Sequence, residues 1–350
     1  MRKITNLNIE SMSLLPAPLQ VCSELPMSVA SVARVAEHRQ TVMDIIDGRD
    51  RRLMAIVGPC SIHDPAAALE YAAKLKKLAD EVSDQIFVIM RVYFEKPRTT
   101  VGWKGLIYDP DINGSYNIER GIFMARRLLL KIVDLGLPVA TEVLDPILVQ
   151  YIADTVSWAA IGARTTESQT HRQLASGLSM PVGFKNATDG SIQIAIDAIK
   201  AARSRHSFIG VLEDGHVGVF RTKGNPHVHV VLRGGNTGPN YGAEHIAFLK
   251  VALAKAQLPQ AVVVDCSHAN SFKLSSKQHV AFKDSVEQVA KGENAIVGLM
   301  LESYLQSGAQ NIPAGGHPAP DISITDECIS WNETEALLKY ARERLAAARG

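Results

Sequence analysis

Cysteine is scarce, and its spacing offers no pair. Cys22, Cys60, Cys266 and Cys328 form no C-x-x-C, which argues against a zinc ribbon, a thioredoxin motif or a secreted disulfide framework and makes a reducing cytoplasm the expected compartment. Charge of one sign is also lacking. Thirty-seven Lys and Arg stand against thirty-six Asp and Glu, so no global field favours nucleic acid or anionic lipid, and any affinity for anions must be local. Aromatics make up only 6% and none interleaves with a basic run, which removes the usual signature of nucleic-acid binding. The N-terminus, MRKITNLNIESMSLLPAP, turns polar before any apolar run of signal-peptide length, and no later stretch approaches the roughly 20 apolar residues that span a bilayer. Several sequence motifs are missing too: no G-x-G-x-x-G opens a helix, and there is no G-x-x-x-x-G-K-[ST], no H-E-x-x-H and no G-x-S-x-G.

What is present in the 350 residues is alternation. Short, continuously apolar, β-branched runs of the kind buried on both faces read as strands over Leu53–Pro59, Phe87–Val92, Pro138–Val143, Trp158–Ala163, Pro181–Phe184, His227–Leu232, Ala261–Cys266 and Ala295–Leu301. Amphipathic stretches lie between most of them: Pro65–Val82, Ile118–Leu135, Pro146–Thr155, Ser191–Arg203 and Ala243–Gln257, with a closing helix over Asn332–Ala348. Eight such units predict an α/β fold, a (β/α)8 TIM barrel over residues 51–350. Two features are additional to it. Phe208–Leu212 and Val217–Phe220 flank Glu213-Asp214-Gly215-His216 as a hairpin inserted at about 206–222. Residues 1–50, with a helix expected near Val29–Asp47, read as an N-terminal extension that packs on another surface, a neighbouring subunit being one candidate. A Gly/Pro-rich stretch, Ile312–Pro320, precedes the closing helix.

In such a barrel the functional residues gather at the C-terminal ends of the strands. Those ends carry Cys60, Arg91, Glu142, Arg164, Lys185, Arg233, His268 and Glu302. Arg91, Arg164, Lys185 and Arg233, joined by Lys96 and Arg98 of the next loop, converge as six cations that require an anion, and guanidinium forks suit phosphate and carboxylate. Their number points to two anionic substrates or one with several anionic groups, unless each is neutralised by a local carboxylate. Cys60, His268, Glu302 and Asp326 form a mixed soft and hard donor set that suits a first-row divalent ion such as Mn, Fe, Co or Zn better than Mg or Ca. The glycines of Arg233-Gly234-Gly235-Asn236 fit either an anion cradle of exposed amides or a plain tight turn.

Six segments, VGPCSIHD from Val57, MRVYFEKPRTTVGWKG from Met90, IGARTTES from Ile161, PVGFKN from Pro181, LRGG from Leu232 and DCSHAN from Asp265, closely resemble the type I, feedback-regulated microbial 3-deoxy-D-arabino-heptulosonate-7-phosphate (DAHP) synthases over nearly the whole chain. The resemblance implies a metal-dependent, aldol-like condensation of phosphoenolpyruvate with erythrose 4-phosphate that opens the shikimate pathway. It implies that Cys60, His268, Glu302 and Asp326 hold the metal. Arg91, Lys96, Arg164, Lys185 and Arg233 would grip phosphoenolpyruvate, and Arg98 and Thr99 the aldose phosphate. Lys96 and Glu142 would manage protons; His171 is either a further catalytic group or a surface histidine at a helix start.

The same resemblance implies feedback by an aromatic amino acid in a cavity between the hairpin and a neighbour's N-terminal extension, hence a homodimer or homotetramer. Asp145, Gln150, Leu174, Leu178, Ser179, Phe208, Gly210 and Phe220 would line that cavity, unless the apolar ones are ordinary core residues. Asp145-Pro146 and Gly210 favour tyrosine as the effector. Two alternatives remain: the sibling octulosonate-phosphate synthase using arabinose 5-phosphate, and a non-catalytic sensor of phosphosugars or amino acids.

Overall fold

Two-residue periodicity is the device that builds the site. The computed structural model describes residues 4–98, 102–313 and 317–350, so Thr99, and positions 314–316 of the Gly/Pro-rich stretch, lie outside the described residues. In chain order the elements are α1 (Pro18–Glu24), α2 (Val29–Ile46), β1 (Leu53–Gly58), α3 (Pro65–Glu81), β2 (Ile86–Arg91), α4 (Ile118–Asp134), β3 (Val139–Glu142), β4 (Trp158–Ile161), α5 (Gln169–Ala175), β5 (Val182–Lys185), α6 (Gln193–Ala202), β6 (Ser207–Val211), β7 (Val217–Arg221), β8 (Val228–Leu232), α7 (Ala243–Lys255), β9 (Val262–Asp265), α8 (Gln278–Ala290), β10 (Ile296–Glu302) and α9 (Trp331–Arg349).

Eight of the strands close a parallel barrel in the order β1-β10-β9-β8-β5-β4-β3-β2, while β6 and β7 pair with each other as the inserted antiparallel hairpin. The (β/α)8 expectation and the hairpin are both met. Along each barrel strand, side chains alternate between a cluster under the helices, such as Ala55, Val57, Val88, Met90, Val182 and Phe184, and a cluster inside the barrel, such as Met54, Ile56, Ile89, Ala140, Val231, Val263 and Met300. Two residues beyond an inward apolar residue the same row emerges at the C-terminal rim. Ile89 is thus followed by Arg91, Ala140 by Glu142, Gly183 by Lys185, Val231 by Arg233, Val263 by Asp265 and Met300 by Glu302. Trp158 fills the barrel below them, fully buried, and Gly183 is required beside it: a Cβ there would stand 2.6 Å from both the Trp158 ring and Val231 Cγ2.

The extension does more than reach outward. Val42, Ile45 and Ile46 of α2 join the inside cluster with Met54, Trp158, Val263 and Val297, so α2 covers the barrel interior of its own chain. Arg39 fastens it by donating from Nε to Val156 O at 2.9 Å and from Nη2 to Ala153 O at 2.6 Å.

One helix expectation fails. Pro146–Thr155 is not an amphipathic α-helix but two short 3-10 turns, Leu148–Tyr151 and Ala153–Thr155. The reason lies in its carbonyls and its start. Arg126 of α4 takes Tyr151 O and Arg39 takes Ala153 O, satisfying groups that an α-helix would have used internally. Asp145 Oδ1 accepts from Ile147 N and Leu148 N and fixes a local turn at the entry.

Candidate active site

The inward rows end in a cavity of about 1020 Å³ at the C-terminal mouth. Arg91, Lys96, Arg98, Arg164, Lys185 and Arg233 all line it, together with Glu142, His268, Glu302 and Asp326. With Lys273, seven cationic side chains face four carboxylates, Glu142, Glu302, Asp326 and Glu327, so the mouth of a nearly neutral chain carries a local excess of positive charge.

The cations divide by depth. Arg91 is buried, donates to Pro59 O at 3.1 Å, Cys60 O at 3.2 Å and Glu302 Oε1 at 2.9 Å, and lies 3.6 Å above the centre of the Tyr93 ring. Burial works against its charge, but Tyr93 and Glu302 hold it firmly protonated. Lys185 Nζ is paired with Asp265 Oδ2 at 2.9 Å, both buried. These two cations do have local carboxylates. Arg98, Arg164 and Arg233 have none within 4.0 Å among the described residues; Arg98 donates to Trp103 O and Arg164 to Pro97 O. The excess positive charge therefore sits in the outer part of the mouth, open to incoming anions. The Arg233–Asn236 glycines form a tight turn and not an amide cradle, since Gly234 N donates to Asn240 Oδ1 and Gly235 N to Gly238 O.

Beneath the cations is the donor cluster. Cys60, Glu302 and Asp326 each offer an atom within 4.8 Å of the others. His268 stands slightly apart, with Nε2 at 3.9 Å from Glu302 Oε1 and Nδ1 at 2.9 Å from Asp265 Oδ2. Lys96 Nζ lies 2.9 Å from Cys60 Sγ. Burial, and then Glu302, push the Cys60 thiol up to about 12, while Lys96 and Arg91 pull it only partly back. Burial also opposes charge on Lys96, yet Cys60, Glu302 and Asp326 keep its ammonium protonated. Thiol, imidazole and carboxylates beside one cavity fit a first-row divalent ion, whose charge would convert Cys60 to a thiolate.

Three groups at this site were not singled out in the sequence. Asp265 bridges Lys185 and His268, and its other oxygen accepts from Ser267 Oγ at 2.6 Å; burial opposes its charge but His268 and Lys185 hold it well below the carboxylate range. It orients the imidazole in the way carboxylates steady metal-binding histidines. Its signal was legible as the residue two beyond inward Val263. Tyr93 lies under Arg91, and Gln278 exchanges two hydrogen bonds with the Glu302 backbone, at 2.9 and 3.0 Å.

His171 is neither in the mouth nor on the surface. It is buried, with Nδ1 2.8 Å from Ser168 Oγ and Nε2 2.7 Å from Leu144 O, so both ring nitrogens are occupied in positioning α5. Of the expected effector residues, Leu174 is buried in the hydrophobic core, Leu178 and Phe208 are partly buried against that core, and Ser179 is exposed. Phe208 and Phe220 stack at 5.4 Å across the hairpin, where a Cβ on Gly210 would stand 2.9 Å from Phe220. Asp145 accepts from Tyr108 Oη at 3.2 Å, and Gln150 lies in the first 3-10 turn.

Glu95, next to Lys96, gives a pH-dependent expectation. Burial, and then Asp145, raise its carboxyl to about 8. The folded chain thus keeps a proton that the unfolded chain loses near pH 4.5, and stability falls as pH rises between these values. Glu95→Gln is expected to leave thermal stability unchanged at pH 4 and to raise it at pH 8, by on the order of 3 kcal/mol. Equal stability differences at both pH values in calorimetry would refute this.

Residues 26–339 match the model of the DAHP synthetase I family. The chain is 49% identical over 347 residues, 98% of its length and 96% of the relative's, to the "Phospho-2-dehydro-3-deoxyheptonate aldolase, Tyr-sensitive" of Salmonella typhimurium. To the "Phe-sensitive" protein of the same designation from Escherichia coli it is 50% identical, covering 99% of this chain and 98% of that one. The solved phospho-2-dehydro-3-deoxyheptonate aldolase of Francisella tularensis superposes with a TM-score of 0.95 at 46% identity, covering 98% of this chain and all of that one.

Proposed function

The chain belongs to the DAHP synthetase I family and acts as a phospho-2-dehydro-3-deoxyheptonate aldolase, and from that premise we propose how its mouth performs the condensation. The carrying observation is that Arg98, Arg164 and Arg233, with no carboxylate within 4.0 Å among the described residues, share one cavity with Glu302 and Asp326, whose carboxylates cluster with the Cys60 thiol beneath. Arg164, Lys185 and Arg233, backed by Arg91, bind the phosphate and carboxylate of phosphoenolpyruvate. Arg98, with Thr99, binds the phosphate of erythrose 4-phosphate, and clamping both anions aligns two reactants that would otherwise meet at random. Cys60, His268, Glu302 and Asp326 would hold a divalent Mn, Fe, Co or Zn ion. When bound, the ion supplies Lewis-acid polarisation of the aldehyde.

As C3 of the enol attacks the aldehyde carbon, a proton must reach the carbonyl oxygen, and Lys96, in the mouth lining beside the donor cluster, is placed to give it. Water then adds at C2 and inorganic phosphate leaves. Glu142, at the end of β3 and in the mouth lining, is placed to take the proton from that water.

Feedback by an aromatic amino acid is part of the same reading, with tyrosine as the effector at the Phe208–Gly210–Phe220 face and Asp145. Residues 51–350 are the catalytic barrel, and 1–50 with the hairpin are the regulatory and assembly parts of a homodimer or homotetramer. Four free cysteines fit a cytoplasmic enzyme, and among the described residues no helix is long and apolar enough to cross a membrane.

The test is phosphate release from phosphoenolpyruvate with each aldose separately. Release with erythrose 4-phosphate, strongly preferred over arabinose 5-phosphate, is expected; preference for the pentose favours the octulosonate-forming sibling, and no release with either favours a sensor. In the same assay tyrosine is expected to inhibit more than phenylalanine or tryptophan, and indifference to all three removes the regulatory reading.

A further inference from the structure

Helix α7 presents a stripe that its own barrel leaves bare. Ile246, Leu249 and Leu253 are its buried side. Outward are Glu244, Phe248, Val251 and Lys255, and the two apolar members are 67% and 64% exposed. At 3.6 residues per turn these four positions fall within about 60° of one another. Their separations of four, three and four residues are those of a helix-packing seam.

The order of the stripe is palindromic in chemistry as well as in spacing. Turning the helix end over end, about an axis between Leu249 and Lys250, exchanges Phe248 with Val251 and Glu244 with Lys255. A second copy of α7 laid antiparallel would therefore bring apolar against apolar at the centre and carboxylate against ammonium at both ends. Exposed Ala247 and Ala254 flank the seam and leave room for close approach. A different protein as partner would need no such symmetry in this chain, whereas a twofold contact requires the patch to complement itself. We propose that α7 is a homotypic contact, pairing two copies of this chain antiparallel through Phe248, Val251, Glu244 and Lys255. The contact does not rest on the catalytic reading, because none of these residues lines the mouth.

One helix pair buries less than the roughly 1,200–2,000 Å² of a stable interface, so the contact is read best as concentration-dependent mass. Sedimentation of the full chain across a wide concentration range is the test. Phe248→Asp is expected to halve the mass of the largest species. Glu244→Lys sets lysine against lysine twice and is expected to weaken that association at least about tenfold. The double variant Glu244→Lys/Lys255→Glu restores both attractions and is expected to recover it, and all three variants keep wild-type turnover as evidence of folding. Mass curves of Phe248→Asp and Glu244→Lys that superimpose on the wild type, or a double variant no tighter than the single one, would overturn the proposal.

Discussion

Replacing Arg91 by alanine is expected to lower stability by about 3–5 kcal/mol and to abolish practical turnover, a loss of at least about a thousandfold. Arg91 and Glu302 are both buried and 2.9 Å apart, and removing the guanidinium leaves a carboxylate without its ion-pair partner in the protein interior. The same change frees the Pro59 carbonyl from its Arg91 donor, leaves the Cys60 carbonyl with only the longer bond from Lys96 Nζ, and removes the cation above Tyr93. Arg91→Lys should fail as well, though by less, because an ammonium cannot reproduce the planar fork that reaches Pro59, Cys60 and Glu302 together while stacking on a ring. Thermal unfolding checks the first effect and kcat/KM the second; an alanine variant that unfolds within a degree or two of the wild type would refute the buried-pair account.

Replacing Cys60 by alanine is expected to separate fold from function. Cys60 sits fully buried between Lys96, Asp326 and Arg91, and the substitution removes one small group without exposing a charge. The fold should survive with a stability change within about 2 kcal/mol. Bound metal and turnover should fall together, turnover by at least about a hundredfold. Metal analysis of purified protein beside the rate decides it. Unchanged activity would remove Cys60 from the donor set, and lost activity with full metal content would give the thiol a different task.

The barrel was legible because eight β-branched runs alternate with amphipathic ones, and burial on both faces leaves few other sequences workable for a parallel strand. The rim residues were legible for a related reason: Arg91, Glu142 and Lys185 occupy the inward row, where polar residues gain nothing unless they emerge at the mouth. Asp265 obeys the same alternation but hides in Asp265-Cys266-Ser267-His268, where the more conspicuous histidine takes the eye. The two 3-10 turns before β4 were not legible, because the groups that displace a helix there, Arg39 and Arg126, come from more than twenty residues away in the chain. Nor was the burial of His171, whose ring is fixed by a carbonyl of the loop after β3. Local pattern also said nothing of α2 covering the barrel interior, since an amphipathic helix shows that it has a buried face and not what covers it.

The most direct measurement is anomalous diffraction from crystals grown with manganese and phosphoenolpyruvate. The account predicts an ion bounded by Cys60 Sγ, Glu302 and Asp326, with the anionic groups of phosphoenolpyruvate on Arg164, Lys185 and Arg233. An ion bound away from that cluster, or phosphoenolpyruvate held without those three cations, would contradict it.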